Sequence, residues 1–309
     1  MPMLETEMKK GIESPTLESG NSSDFSSEET PFQLIWKRFM KHRLAVAGTI
    51  VILLVIFMAI FAPLLAPKDP YQVFEEFSAP PSSEHWLGTD QVGRDIFSRL
   101  IYASRVSILV GIGAVLIYTT IGTILGAISG YFGGWIDIVI MRLTDIFMSF
   151  PSLMLILVVV SIMGPNLWNI IWILGLLTWP SAARLVRGSV LSLKTVDFVK
   201  SGIVLGLSTP RILFQHILPN VIAPILVHST FGIAAAIIIE ASLSFLGMGV
   251  QPPTASWGNM LTDAQSLTVL TDQPWLWVPP GVLIIIVVLA INFIGDGLRD
   301  ALDPKTLSK

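Results

Sequence analysis

Residues 192–224 read SLKTVDFVKSGIVLGLSTPRILFQHILPNVIAP, a polar and basic island between two long apolar stretches, 166–183 and 221–239. The island predicts two short helices. Thr195 is placed to cap the first, and Gly206 ends it at a position where left-handed backbone is cheap. Thr209 is placed to cap the second, Pro210 occupies its first helical position, and Pro219 is expected to stop it. An ordered island of this kind between apolar spans predicts a docking element rather than a flexible tether.

The surrounding chain is that of a membrane protein. Of 309 residues, 52% are hydrophobic and 13% charged, and mean hydropathy is +0.71, whereas a soluble domain carries about 25% charged residues. The net charge of −3 is uninformative because the charges are segregated. The absence of cysteine excludes disulfides and thiolate metal sites. Residues 1–30 are acidic and Ser-rich (Glu5, Glu7, Glu13, Glu18, Asp24, Glu28, Glu29), without the basic start and short apolar core of a cleavable signal, and are read as a disordered tail.

A spanning helix needs about 20 apolar residues. Six segments qualify, near 44–65, 106–130, 138–163, 167–183, 221–245 and 275–294. The expected fold is therefore all-α and polytopic. Lys37, Arg38, Lys41 and Arg43 precede the first span. Arg184, Arg187, Lys194, Lys200 and Arg211 lie between the fourth and fifth, and Arg299, Lys305 and Lys309 follow the last. Residues 249–274 have no Lys or Arg. This asymmetry predicts that both termini and the 184–219 loop are cytoplasmic and that 66–105 is extracytoplasmic, although Lys68, Arg94, Arg99 and Arg105 weaken the bias there. Residues 31–43 are expected to form an amphipathic interfacial helix, capped by Thr30 and started by Pro31. Its apolar face is Phe32, Ile35, Trp36, Phe39 and Met40. Val92, Ile96, Phe97, Leu100 and Ile101 suggest a separate surface helix before the second span, and Trp257, Trp275 and Trp277 suggest an exposed interfacial belt.

Few residues carry chemistry. No glycine-rich loop ending in Gly-Lys-Ser/Thr occurs, and the four histidines (His42, His85, His216, His228) form no pair at metal-binding spacing. Gly122, Gly126 and Gly130 form a ridge of small residues for close helix packing, either within this subunit or against a partner. Glu240 is an isolated carboxylate in the apolar stretch 221–250. It is read either as a pathway-lining or partner-contacting group, or as a structural carboxylate near the end of its span. Arg142 and Asp145 are spaced to pair with each other.

The island resembles the coupling ("EAA") loop of permease subunits in ATP-driven importers. Lys200, Ser201 and Gly202 stand where that family carries Glu-Ala-Ala. Gly206, Leu218 and Pro219 match at the family spacing, and His216 replaces Ile. The stretches 216–220 (HILPN), 240–247 (EASLSFLG), 251–253 (QPP), 256–260 (SWGNM), 85–90 (HWLGTD) and 93–97 (GRDIF) resemble the C-type permease of di- and oligopeptide importers, over about residues 31–304. The resemblance implies a type I importer permease fold, with a permease core over 106–300 and a tail at 301–309. It implies half of a translocation pathway for short peptides, with no cofactor or covalent chemistry on this chain and no nucleic-acid partner. The implied partners are a second (B-type) permease, two cytoplasmic ATPases, an extracytoplasmic peptide-binding protein and membrane lipid. Loop 195–219 would couple to the ATPase, with Val196, Phe198, Val199, Ile203 and Leu205 filling a groove on it and Gly202 and Gly206 allowing close approach. Alternatives are a permease of this family for nickel or another small solute, and a stand-alone secondary transporter. For the latter, Glu240 is the sole candidate ion-coupling group.

Overall fold

A computed structural model describes residues 30–303, and among these it contains helices and turns but no strand. Expectations for the 1–29 and 304–309 tails lie outside the described residues. Helix α1 (Pro31–Lys41) opens on a capping box in which Thr30 Oγ1 accepts from Gln33 N and Gln33 Oε1 accepts from Thr30 N. The chain breaks at His42, whose Nδ1 accepts from Ala45 N at 3.1 Å and starts α2 (Arg43–Ile60). A short α3 (Ala62–Leu65) follows. The carbonyls left open at the end of α2 are taken by Arg105, which donates to Ala59 O and, at 2.8 Å, to Ile60 O.

Helix α4 (Ile96–Phe132) has 37 residues, about 55 Å at 1.5 Å per residue, and so extends well beyond the roughly 30 Å hydrocarbon layer. The separate surface helix expected around 92–101 is instead the first turns of α4, and Val92 lies in the turn before it. The start is fixed by Asp95, whose carboxylate accepts from Ser98 N at 2.8 Å and meets buried His85 Nδ1 at 2.8 Å. Both the cap and its histidine are buried.

The third expected span is broken. Helices α5 (Gly134–Ser149) and α6 (Ser152–Met163) meet at 88°. Pro151 causes the break: it pushes Phe150 into extended backbone (φ −96°, ψ 143°), which an α-helix cannot absorb. Helix α7 (Leu167–Lys194) runs well past the expected end at 183, carrying Arg184 and Arg187 with it. Asp145 therefore pairs chiefly with Arg184 (2.6 Å), whereas Arg142 stands 4.0 Å away. Asp137 on α5 makes a bidentate pair with Arg187 on α7 (2.5 and 2.6 Å) and accepts from Ser129 Oγ of α4.

After α8 (Asp197–Val204) and the turn α9 (Thr209–Arg211), six π-helical residues (Ile212–Ile217) lead into α10 (Leu218–Phe245). Helix α11 (Trp257–Met260), a 3₁₀ turn (Thr262–Gln265) and α12 (Leu267–Asp272) connect to α13 (Pro274–Leu302). The expected tail at 301 is still helical, and Ala301 packs with Phe39 and Ala45. Trp257 is fully buried and Trp275 and Trp277 are half-buried, against the expectation of an exposed belt. Segment 249–274 folds back on the bundle and is held by a hydrogen bond from Trp257 N to Ser107 Oγ of α4 at 3.1 Å. Five helices are long and apolar enough to cross a membrane, six counting the bent pair, among the described residues. Their outer faces carry exposed Leu53, Leu54, Phe57, Ile124, Ile162 and Ile285, as lipid contact requires.

The glycine ridge of α4 lies against α7. A Cβ at Gly122 would stand 2.5 Å from Ala182 Cβ, one at Gly126 2.5 Å from Ala183 O, and one at Gly130 2.9 Å from Arg187 O. Gly126→Leu should therefore lower stability by about 1–3 kcal/mol or more through overpacking. Gly188→Leu on α7, where an added Cβ meets nothing within 4 Å, should be near neutral. Thermal unfolding of the two variants in detergent checks the contrast.

Candidate functional site: a lever continuous with the bundle

The 195–219 region is ordered by devices that differ in part from those expected. Thr195 is the C-cap of α7, its Oγ1 donating to Ser192 O at 2.8 Å. Val196 precedes α8 with no side-chain cap, and Asp197 in the first turn offsets the helix dipole. The end of α8 follows the expectation for Gly206, which has φ +76°. Gly206 N donates to Ile203 O (3.0 Å) and Leu207 N to Gly202 O (3.1 Å), the paired bonds of a Schellman stop. The Leu207 side chain lies against Gly202, where an added Cβ would be 3.2 Å from Leu207 Cδ1.

The second helix does not stop at Pro219. Ser208, not Thr209, is its N-cap residue and gives no side-chain bond, and Pro210 is its second residue. The π segment then shifts the hydrogen-bond register, so Pro219 falls at the start of α10, where its missing N–H costs little. Asn220 Nδ2 donates to His216 O at 2.7 Å in this turn. From Thr209 to Phe245 the chain is one rod, with the loop at one end and the fifth span as its shaft.

The faces of the lever divide cleanly. Val199 (1% exposed), Ile212 and Ile217 are buried with Val186 and Val190 of α7, Ala127 of α4 and Val221 of α10. Val199 is thus an anchor to the bundle, not a free groove-filling group. Gly202 is also buried, while His216 and Leu218 are half-buried. Val196, Phe198, Lys200, Ser201, Ile203, Leu205, Gly206 and Pro219 are exposed, and Lys200 reaches Asp197 at 3.8 Å. Two residues that sequence reasoning passed over are among the most exposed apolar groups here, Val204 (86%) and Phe214 (69%), beside Leu205 (79%). The apolar run 203–205 was a signal for Val204. Phe214 had none, because its outward direction depends on the π register.

Glu240 is fully buried near the far end of α10. Its Oε1 accepts from Ser244 Oγ at 2.7 Å, Ser107 and Ser256 stand beside the same carboxylate, and its Oε2 is buried without a hydrogen-bond partner. Each of these serines also accepts a backbone N–H, from Val250, Trp257 and Asn259, which leaves its O–H to donate. Glu240 thereby joins α10 to α4 and α11. It is not among the residues around the cavity of about 240 Å³ between α4, α7 and α10. That cavity is bordered by Tyr118, Thr178, Ser181, His228 and Phe231, with His228 Nε2 3.4 Å from Ser181 Oγ. No cluster of metal-ligating side chains occurs among the described residues.

The arrangement defines a class: a polytopic helical membrane subunit whose ordered 195–219 segment is packed onto its spans. The family model described as "binding-protein-dependent transport system inner membrane component" matches residues 122–308, and the N-terminal transmembrane domain of oligopeptide transport permease C matches residues 30–81. The dipeptide transport system permease protein DppC of Alkalihalophilus pseudofirmus is 42% identical over 310 residues, covering 99% of this chain and 100% of that one. The oligopeptide permease OppC of Bacillus subtilis is 42% identical (93% and 95% covered), and the glutathione permease GsiD of Pectobacterium atrosepticum 43% (91% and 94% covered). The chain belongs to the family of binding-protein-dependent transport system inner membrane components, permease subunits of ATP-binding-cassette transporters. It is a multi-pass membrane component and not an enzyme, because in this family ATP hydrolysis resides on separate subunits.

The serine cradle predicts graded responses at Glu240. Glu240→Gln keeps an acceptor for Ser244 and should unfold close to the parent. Glu240→Ala strands buried hydroxyls and should lose about 1–3 kcal/mol, read as a lower midpoint in detergent melts.

Proposed function

We propose that this chain is the C-type permease of an importer for short peptides. It forms half of the pathway beside a B-type permease, with both termini and the 195–219 lever cytoplasmic. Two ATPases drive it and an extracytoplasmic peptide-binding protein loads it. The observation that carries this reading is the lever. Val204, Leu205 and Phe214 offer an apolar face outward, while Val199, Ile212 and Ile217 tie the same segment to α4, α7 and α10. A push on that face moves three spans together. The relatives' names, for dipeptide, oligopeptide and glutathione transport, support a peptide substrate. The Lys and Arg placement supports the orientation.

The contact to the ATPase is the apolar face with its Gly206 bend. Phe214→Asp should detach the ATPases or abolish their stimulation by loaded binding protein, and Gly206→Trp should uncouple hydrolysis from uptake while insertion into the membrane persists. Co-purification and uptake into proteoliposomes read both, and full coupled transport by either variant would refute the lever as the coupling element. Reconstituted without partners, the chain should accumulate no labelled dipeptide under ATP or a proton gradient.

A further inference from the structure

Adjoining the cavity of about 240 Å³ between α4, α7 and α10, on its lever side, is a second of about 420 Å³ between α7, α10 and the end of α13. His228 and Phe231 border both. The first extends along α10 to Ile239. The second extends the other way, to Ala223 and Pro224, and reaches Arg299 and Leu302 of α13. From residue 223 to residue 239 the pair follows α10 for about 24 Å, most of a hydrocarbon layer of roughly 30 Å.

The walls differ from the lipid-facing sides of the bundle, which carry exposed Leu, Ile and Phe. Here Ser181 and Ala235 are exposed, and Thr178 and His228 are half-buried. His228 stands in the interior of a spanning helix, where an ionisable ring faces a hydrated cavity or a partner rather than hydrocarbon. Its one hydrogen-bond neighbour among the described residues is Ser181 Oγ at 3.4 Å, and Tyr118 meets its ring edge-on. No Asp, Glu, Lys or Arg borders the first cavity. The Ser181 and Thr178 hydroxyls donate to backbone carbonyls of α7 (3.2 and 2.7 Å), which leaves their lone pairs to accept. Such a lining offers hydrogen bonds without a fixed charge. It discriminates little by the charge of a passing side chain, and it holds what passes weakly enough to release it.

We propose that the two cavities are this chain's share of the route a short peptide takes through the importer, and that His228 and Phe231 form the gate between them and touch the peptide. The proposal rests on the peptide-import reading and puts the contact at His228, where sequence alone had offered Glu240. The chain has no cysteine, so single introduced cysteines report on it. In the complete importer in proteoliposomes, His228→Cys and Ala235→Cys should react with a water-soluble maleimide. Binding protein loaded with alanine di- to pentapeptides, with ATP, should slow that reaction severalfold relative to empty binding protein with ATP. Leu53→Cys, on a lipid-facing side, should stay unreactive. Ala235→Trp, which fills the route and leaves His228 in place, should cut uptake about tenfold. Loaded binding protein should still stimulate ATP hydrolysis in that variant, unlike in Phe214→Asp on the lever. Should His228→Cys fail to assemble, Ala235→Cys decides. Absence of labelling in the importer overturns the proposal, as does labelling that peptide leaves unchanged or normal uptake by Ala235→Trp. Labelling confined to the isolated chain also overturns it, and makes this face the seat of the second permease. An importer that takes up the alanine peptides while this face stays unlabelled refutes the route alone, whereas one that takes up none with its binding protein present refutes the peptide reading and the route with it.

Discussion

The close approach of α4 to α7 is the contact on which the rest of the molecule depends. Gly122, Gly126 and Gly130 remove the side chains that would separate the two helices, so α4 meets the α7 backbone at Ala183 and Arg187 directly. In lipid, association gains little from hydrophobicity, and dense packing of small residues is what holds helices together. Once α7 lies on α4, Arg187 reaches Asp137 and Arg184 reaches Asp145, which docks α5 although Pro151 has turned α6 through 88°. The same approach brings Val186 and Val190 to the end of the bundle where the lever is anchored.

The lever shows how a membrane loop is made stiff. A flexible connection dissipates displacement, whereas this one is closed by a Schellman stop at Gly206 and runs through a π segment into α10 without a break. Its buried residues come from α8 and the π segment, and their partners from three spans. The buried side of the segment is therefore packed against three spans, the kind of interface that resists continuous deformation.

The far end is organised by polar rather than apolar contacts. Asp95 with His85 sets where α4 begins, Asp90 holds Arg94 beside Arg99, and Glu240 gathers serines from α4, α10 and α11. Segment 249–274, which has no Lys or Arg, is held to the bundle by the hydrogen bond from Trp257 N to Ser107 Oγ and by the serines around Glu240.

Composition and periodicity were enough to establish an all-helical, multi-pass chain, because a run of about 20 apolar residues has few other uses. The local chemistry of Thr30 at a cap and Gly206 at a helix stop was equally legible, since each depends on neighbours within a few residues; the glycine ridge was visible too, but not that its partner is α7. Other features were not. Whether Pro219 ends a helix or begins one depends on the π register set by packing of Ile212 and Ile217. Pro151 bars a continuous helix locally, but the 88° between α5 and α6 is a tertiary quantity. Asp145 chose Arg184 over the nearer-in-sequence Arg142 because α7 continued past 183. Val199, Trp257 and Glu240 became interior residues because elements distant in the chain closed over them. Local sequence encodes backbone preference at short range; burial and charge pairing are decided by which distant surfaces meet, and that is settled only when the helices pack.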